Sequence, residues 1–190
     1  MTMAFERGIV VDIEATCWHP DEHAALSADQ RNECEIIEIG AVRFPLDGEP
    51  AFRRVIKPRR HPRLSAFCTR LTGLTQADVD GGMPFAEAYT DFLRWIEPHT
   101  VVGSWGTFDH RQFARDCRRA SMEPPPWQAV NLRSWLAKRL RKRGETRTWM
   151  RLDEALARAG LGFEGTPHRA VADAHNTARL IPWGNDLLEL

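Results

Sequence analysis

Apolar residues gather early in the chain in short runs rich in Ile and Val, and later they recur three and four residues apart. The early runs predict strands over residues 8–13, 35–44 and 51–57, each too short for a buried helix. Pro45-Leu-Asp-Gly48 supplies a turn between the second and third. Together they predict an antiparallel meander. The connection from Trp18 to Cys34 is polar and has room for a short helix, but no periodicity predicts one.

Further on the pattern becomes helical. Thr75-Gln-Ala-Asp78 has the spacing of a capping box with Asp in the usual place of Glu, and Pro84 suits the first turn of a helix. Phe85, Tyr89, Phe92 and Ile96 then form one core-facing stripe. Thr100 to Trp105 reads as a fourth strand. A helix follows from Asp109 to Ser121, with Phe113, Cys117 and Ala120 inward, and Pro124-Pro-Pro126 ends it. Two more are predicted: Leu132–Arg143, with Leu132, Trp135, Leu136 and Leu140 opposite a basic face, and Leu152–Ala159, closed by Gly160. The last long helix spans Ala170 to Ile181, where Pro182 is expected to stop it. Strands followed by helices, with no internal repeat, predict one α/β domain over residues 1–190, a mixed sheet flanked by helices.

Composition narrows the setting. The 190 residues are 43% hydrophobic with no apolar run of membrane length. The segment before the first strand is too short for a secretion signal, so a cytoplasmic location is expected. Cys17, Cys34, Cys68 and Cys117 lie far apart without a C-x-x-C pair, which argues for reduced thiols over a zinc knuckle or disulfide framework. Cys17 follows the first acidic pair closely enough to border a site there.

Net charge is zero but unevenly spread. Acids far outnumber Lys and Arg over residues 1–50, whereas Arg53–Arg63 holds six Lys or Arg and Asn131–Arg151 holds eight against one acid. Cationic segments beside an acidic end suit an anionic substrate held by its phosphates. Solvated helix faces explain each segment equally well when taken singly.

The acidic end is Gly8-Ile-Val-Val-Asp-Ile-Glu14, in which Asp12 and Glu14 point to one face of a strand. Adjacent carboxylates repel unless a proton or cation lies between them, and a pair of divalent ions is the simplest cation to propose. A D-x-E pair alone is also what any solvated strand end carries. Three further residues change that balance. Asp109 follows the fourth strand at a helix start, where it could equally be an N-cap; His168 precedes the last helix, and Asp173 lies five residues beyond it. Four carboxylates and one histidine are the parts of a two-metal phosphodiester hydrolase. Asp12, Glu14, Asp109 and Asp173 would ligate two Mg²⁺ or Mn²⁺ ions, with Asp12 bridging, and His168 would accept the attacking water's proton.

The order Asp-x-Glu, Asp, His-x-x-x-x-Asp resembles the DEDDh 3′-to-5′ exonucleases. Asp12-Ile-Glu-Ala-Thr-Cys17, Glu35-Ile-Ile-Glu-Ile39, Phe67-Cys-Thr-Arg-Leu-Thr-Gly73, Gly103-Ser-Trp105 and Phe163-Glu-Gly-Thr-Pro-His168 are similar to the Eri-type exoribonucleases, and the resemblance runs from Ile9 to about Leu180. It implies an RNase H-like exonuclease fold with a central mixed five-stranded sheet, two Mg²⁺ or Mn²⁺ ions, and release of nucleoside 5′-monophosphates from a single-stranded 3′ end. Ala15, Thr16, Leu71 and Thr72 would line the terminal-nucleotide pocket, Leu71 against the base, with Trp105 and His168 as further substrate contacts. Trp18, Trp127 and Trp149 also offer stacking surfaces, but core packing is the expected role for most of the tryptophans.

Two departures qualify the resemblance. Ala172 stands where relatives commonly place an acid beside the last ligand. The length is also expected to leave no room for the nucleic-acid-binding domain that larger relatives add, so the basic segments are expected to supply most of the grip. Single-stranded RNA is the favoured partner, with single-stranded DNA as a second substrate, and no membrane is involved. Two alternatives stay open: a DNA-directed proofreading or repair exonuclease, and a non-catalytic nucleic-acid-binding module, whose usual sign is a missing ligand. Monomer and homodimer stay equally open.

Overall fold

The computed structural model describes residues 5–21, 33–97 and 101–187, so most of the polar stretch between Trp18 and Cys34 lies outside the described residues. The predicted meander is present as β1 (Gly8–Ala15), β2 (Ile36–Phe44) and β3 (Phe52–Val55), each antiparallel to the next. β4 (Val101–Ser104) then pairs parallel to β1, and β5 (Gln128–Asn131) parallel to β4. The order β3-β2-β1-β4-β5 makes a mixed five-stranded sheet among the described residues. β5 is not visible in the hydrophobic pattern. Four residues, two of them polar, carry too little alternation, and the parallel neighbour β4 supplies the pairing instead.

Between β3 and β4 lie α1 (Ala66–Thr72), α2 (Gln76–Asp80) and α3 (Phe85–Ile96). The capping box before α2 is formed: Thr75 Oγ1 accepts the Asp78 N–H at 3.2 Å while Asp78 Oδ2 accepts the Thr75 N–H at 2.7 Å. α4 (Phe108–Arg119) follows β4, and α5 (Leu132–Lys142), α6 (Leu152–Arg158) and α7 (Ala170–Asp186) complete the set.

Alternation along β1 divides the core. Ile9, Val11 and Ile13 enter one cluster with Tyr89, Phe92 and Phe113 of α3 and α4, whereas Val10 enters another with Leu132, Leu136, Ala174 and Ala178 of α5 and α7. Asp12 and Glu14 share Val10's face, so they point toward the α7 layer.

The expected stop at Pro182 does not occur, because α7 continues through it to Asp186. Packing outweighs the lost backbone hydrogen bond. Gly184 has no side chain, and a Cβ there would lie 2.2 Å from the Trp135 ring, so the last turn docks closely on α5. The Asn185 side chain holds the turn to the N-terminal segment, accepting the Phe5 N–H at 3.1 Å and donating to the Phe5 carbonyl at 3.0 Å. No helix among the described residues is long and apolar enough to cross a membrane.

Candidate metal centre and nucleotide cleft

The site begins with the register of β1 and β2, which sets Asp12 opposite Gly40 and Glu14 opposite Glu38. A Cβ at Gly40 would lie 2.2 Å from the carbonyl carbon of Ala170. The glycine therefore lets the first turn of α7 come down onto the sheet beside Asp12. Asp173 belongs to that turn and arrives beside the acid pair.

Asp109 comes from the other neighbour. The ladder between β1 and β4 covers Ile9 and Val10, after which the chain turns into α4. The Ile13 N–H, left without a strand partner there, donates to Asp109 Oδ1 at 3.2 Å. The first turn of α4 thus places a third carboxylate, 5% exposed, against the residue between Asp12 and Glu14.

His168 adopts a left-handed backbone with φ 60°, an uncommon conformation for a side chain other than glycine or asparagine. Its N–H donates to Asp173 Oδ2 at 2.9 Å. In that pose one ligand atom each from Glu14, His168 and Asp173 lie within 4.8 Å of one another.

The electrostatics match a site built for cations. Burial, followed by the charges of Asp109, Glu14 and Asp173, holds the Asp12 carboxyl well above the usual carboxylate range. Burial and then Asp173 push Glu14 up to about 9. Burial raises Asp109 to about 6 against the pull of backbone N–H donors, and raises Asp173 to about 6 against the pull of His168. Protons hold such a group together until a cation replaces them. Carboxylate oxygens and one imidazole, with no thiolate in the group, are donors that fit a hard divalent ion.

Beside Glu14 opens a cleft of about 430 Å³ whose wall includes Ala15, Thr16, Cys17, Leu71 and Phe108. Of the residues expected to contact a nucleotide, Ala15, Thr16 and Leu71 are in this wall. Thr72 and Trp105 are not. Thr72 is buried, its hydroxyl donating to the Cys68 carbonyl at 2.9 Å and accepting the Leu74 N–H at 3.1 Å. Trp105 packs against the α5 and α7 cluster. Trp127 is a core residue, while Trp149 is 56% exposed.

Two residues that the sequence pattern does not single out are prominent here. Phe108, immediately before Asp109, presents an aromatic ring 52% exposed in the cleft wall. Its position one residue before a candidate ligand was the available signal. Glu38 is fully buried and accepts the Arg53 Nε–H at 2.7 Å, an Arg169 guanidinium N–H at 3.0 Å and the Ala170 N–H at 3.0 Å. In sequence it stands inside the Glu35–Ile39 stretch of the resemblance with no role of its own assigned.

Comparison with known proteins identifies the family and the fold. The exonuclease family model RNase_T matches residues 9–181. ERI1 exoribonuclease 2 of Xenopus laevis is 32% identical over 93% of this chain, which spans only 28% of that protein. The 3′-5′ exonuclease Snipper of Drosophila melanogaster is 31% identical over 91% of this chain and 67% of its own length. The nuclease domain of 3′hExo, a DEDDh family member solved with rAMP, superposes with a TM-score of 0.79 at 24% identity, covering 95% of this chain and 92% of that one. The fold is therefore that of the RNase H-like exonucleases.

Proposed function

The chain belongs to the RNase_T exonuclease family, in its DEDDh, Eri-type branch, and from that premise we propose that it is a 3′-to-5′ exonuclease of single-stranded RNA, acting also on single-stranded DNA. The observation that carries this reading is the meeting of Asp12, Glu14, Asp109, Asp173 and His168 from β1, α4 and the start of α7, with four carboxylates all raised by burial and three of them, Asp12, Glu14 and Asp173, raised further by neighbouring carboxylates. The preference for RNA follows the relatives named exoribonucleases. A cytoplasmic setting and a single exonuclease domain over residues 1–190 belong to the same proposal.

In this mechanism Leu71 and Phe108 grip the 3′-terminal base in the cleft, while Ala15 and Thr16 border its sugar. Asp12, Glu14, Asp109 and Asp173 would hold two Mg²⁺ or Mn²⁺ ions. Such ions, when bound, supply charge neutralisation at the scissile phosphate and a more acidic attacking water. His168, held by its own N–H to Asp173, takes the water's proton as the new P–O bond forms. The bond to the penultimate 3′-oxygen breaks, that oxygen takes a proton from solvent, and a nucleoside 5′-monophosphate leaves.

Initial rates on matched single-stranded RNA and DNA of one sequence, with products identified by mass, test the proposal. Nucleoside 5′-monophosphates released faster from RNA are expected. A strong preference for DNA would sink the RNA assignment, and products bearing 3′-phosphates would sink the mechanism.

A further inference from the structure

A second hollow, of about 360 Å³, touches the candidate centre at His168 and Asp173 and is walled by Arg151, Leu152, Asp153, Phe163 and Pro167. It shares no lining residue with the cleft, which meets the centre at Glu14. A strand whose terminal nucleotide fills the cleft and whose scissile phosphate lies over the carboxylates needs a place for its preceding nucleotide. This hollow is comparable in size to the cleft and borders the same centre.

Its chemistry suits that occupant. Phe163, Leu152 and Pro167 give an apolar wall for a base or sugar, and the Arg151 guanidinium stands at the rim with 73% of its side chain exposed. Arg151 pairs with Asp153, itself 55% exposed, and an ion pair in that much water is weak enough to exchange for a phosphate.

Two residues before Arg151, Trp149 is 56% exposed, and the Arg133 guanidinium lies 4.2 Å from the centre of its ring. A large exposed ring backed by a cation, inside a stretch of eight Lys or Arg against one acid, is the surface on which single-stranded bases stack.

Resting on the exonuclease reading, we propose that the hollow beside His168 receives the nucleotide on the 5′ side of the scissile phosphate, and that the RNA strand then crosses Trp149. The partner is a single-stranded polyanion with free bases. A protein segment would have no use for a line of arginines joined to a phosphodiesterase centre.

The test uses RNA oligonucleotides of two to ten residues and the variants Trp149→Ala and Arg151→Gln. The wild type is expected to gain kcat/KM with length through KM. In Trp149→Ala the ratio of kcat/KM on a decamer to that on a dinucleotide should fall about tenfold, near the low end for one base on an aromatic ring. Arg151→Gln, at the hollow that a dinucleotide already fills, should lower kcat/KM on the dinucleotide and the decamer alike and flatten the dependence of KM on salt. A Trp149→Ala ratio equal to wild type, or an Arg151→Gln protein with wild-type kcat/KM on the dinucleotide, would overturn the proposal. If the wild type cleaves no oligonucleotide, the exonuclease reading falls, and polarisation of a labelled decamer still decides the surface: a Kd weakened about tenfold by Trp149→Ala supports it, and an unchanged Kd overturns it.

Discussion

The N–H of Ala170, the first residue of α7, donates to the buried carboxylate of Glu38 on β2 at 3.0 Å. That bond ties the strand facing Glu14 to the helix that carries Asp173, and it does so two residues after His168. With Arg53 and Arg169 on the same carboxylate, Glu38 fixes where the last two site residues stand relative to the first two.

Glu38→Ala should therefore cost about 2–3 kcal/mol of stability, because it removes charge-assisted bonds and leaves a buried backbone donor unpaired. It should also lower kcat more than it raises KM. Glu38→Gln keeps an acceptor for Ala170 and should recover much of the stability. Denaturant unfolding paired with steady-state kinetics checks both, and a Glu38→Ala protein with wild-type stability and kcat contradicts the role.

The raised carboxylates make stability depend on pH with a definite sign. In the unfolded chain these groups lose their protons near pH 4, whereas in the folded, metal-free protein Asp109 and Asp173 hold theirs to about 6 and Glu14 to about 9. Between those limits the native state binds more protons, so stability must fall as pH rises, first to about 6 and further to about 9. Melting curves in EDTA should show that fall, and Mn²⁺ should reduce it by binding the ionised form. A melting temperature in EDTA that climbs over this window is the opposing result.

His168 and Asp12 separate chemistry from assembly. His168→Asn should lower kcat about 10²–10⁴-fold, the usual worth of a positioned acid or base, while Mn²⁺ still raises the melting temperature. Asp12→Asn should stop turnover yet raise the melting temperature in EDTA, since it removes one of several repelling acids. An active Asp12→Asn protein would remove Asp12 from the ligand set.

Phe108 and Trp105 make a contrasting pair. Phe108→Ala should raise KM about tenfold with a small change in kcat, as expected of an exposed ring that stacks a base. Trp105→Ala should instead lower stability, because that partly buried ring packs against the core cluster of α5 and α7. Kinetics and unfolding measured on both would expose a reversal.

Much of this was legible along the chain. The Ile and Val runs mark β1 and β2, the Thr75–Asp78 spacing marks α2, and the five candidate site residues stand out by their order, with Asp12 and Glu14 on one strand, Asp109 and Asp173 in first helical turns and His168 just before the last helix. What escaped depends on contacts distant in sequence. β5 exists through its pairing with β4. The helix crosses Pro182 because Gly184 fits against Trp135 and Asn185 binds Phe5. Thr72 and Trp105 turn inward for reasons that only the surrounding helices supply. Glu38 acquires its meaning from the β1–β2 register and from Gly40, which together show that α7 lies on that face.

The most direct measurement is a time course of 5′-labelled single-stranded RNA on a denaturing gel, with Mn²⁺, with EDTA, and with the Asp12→Asn protein. The account predicts shortening by one nucleotide at a time from the 3′ end in Mn²⁺ and intact RNA in the other two. Equal shortening in EDTA or by Asp12→Asn would contradict it.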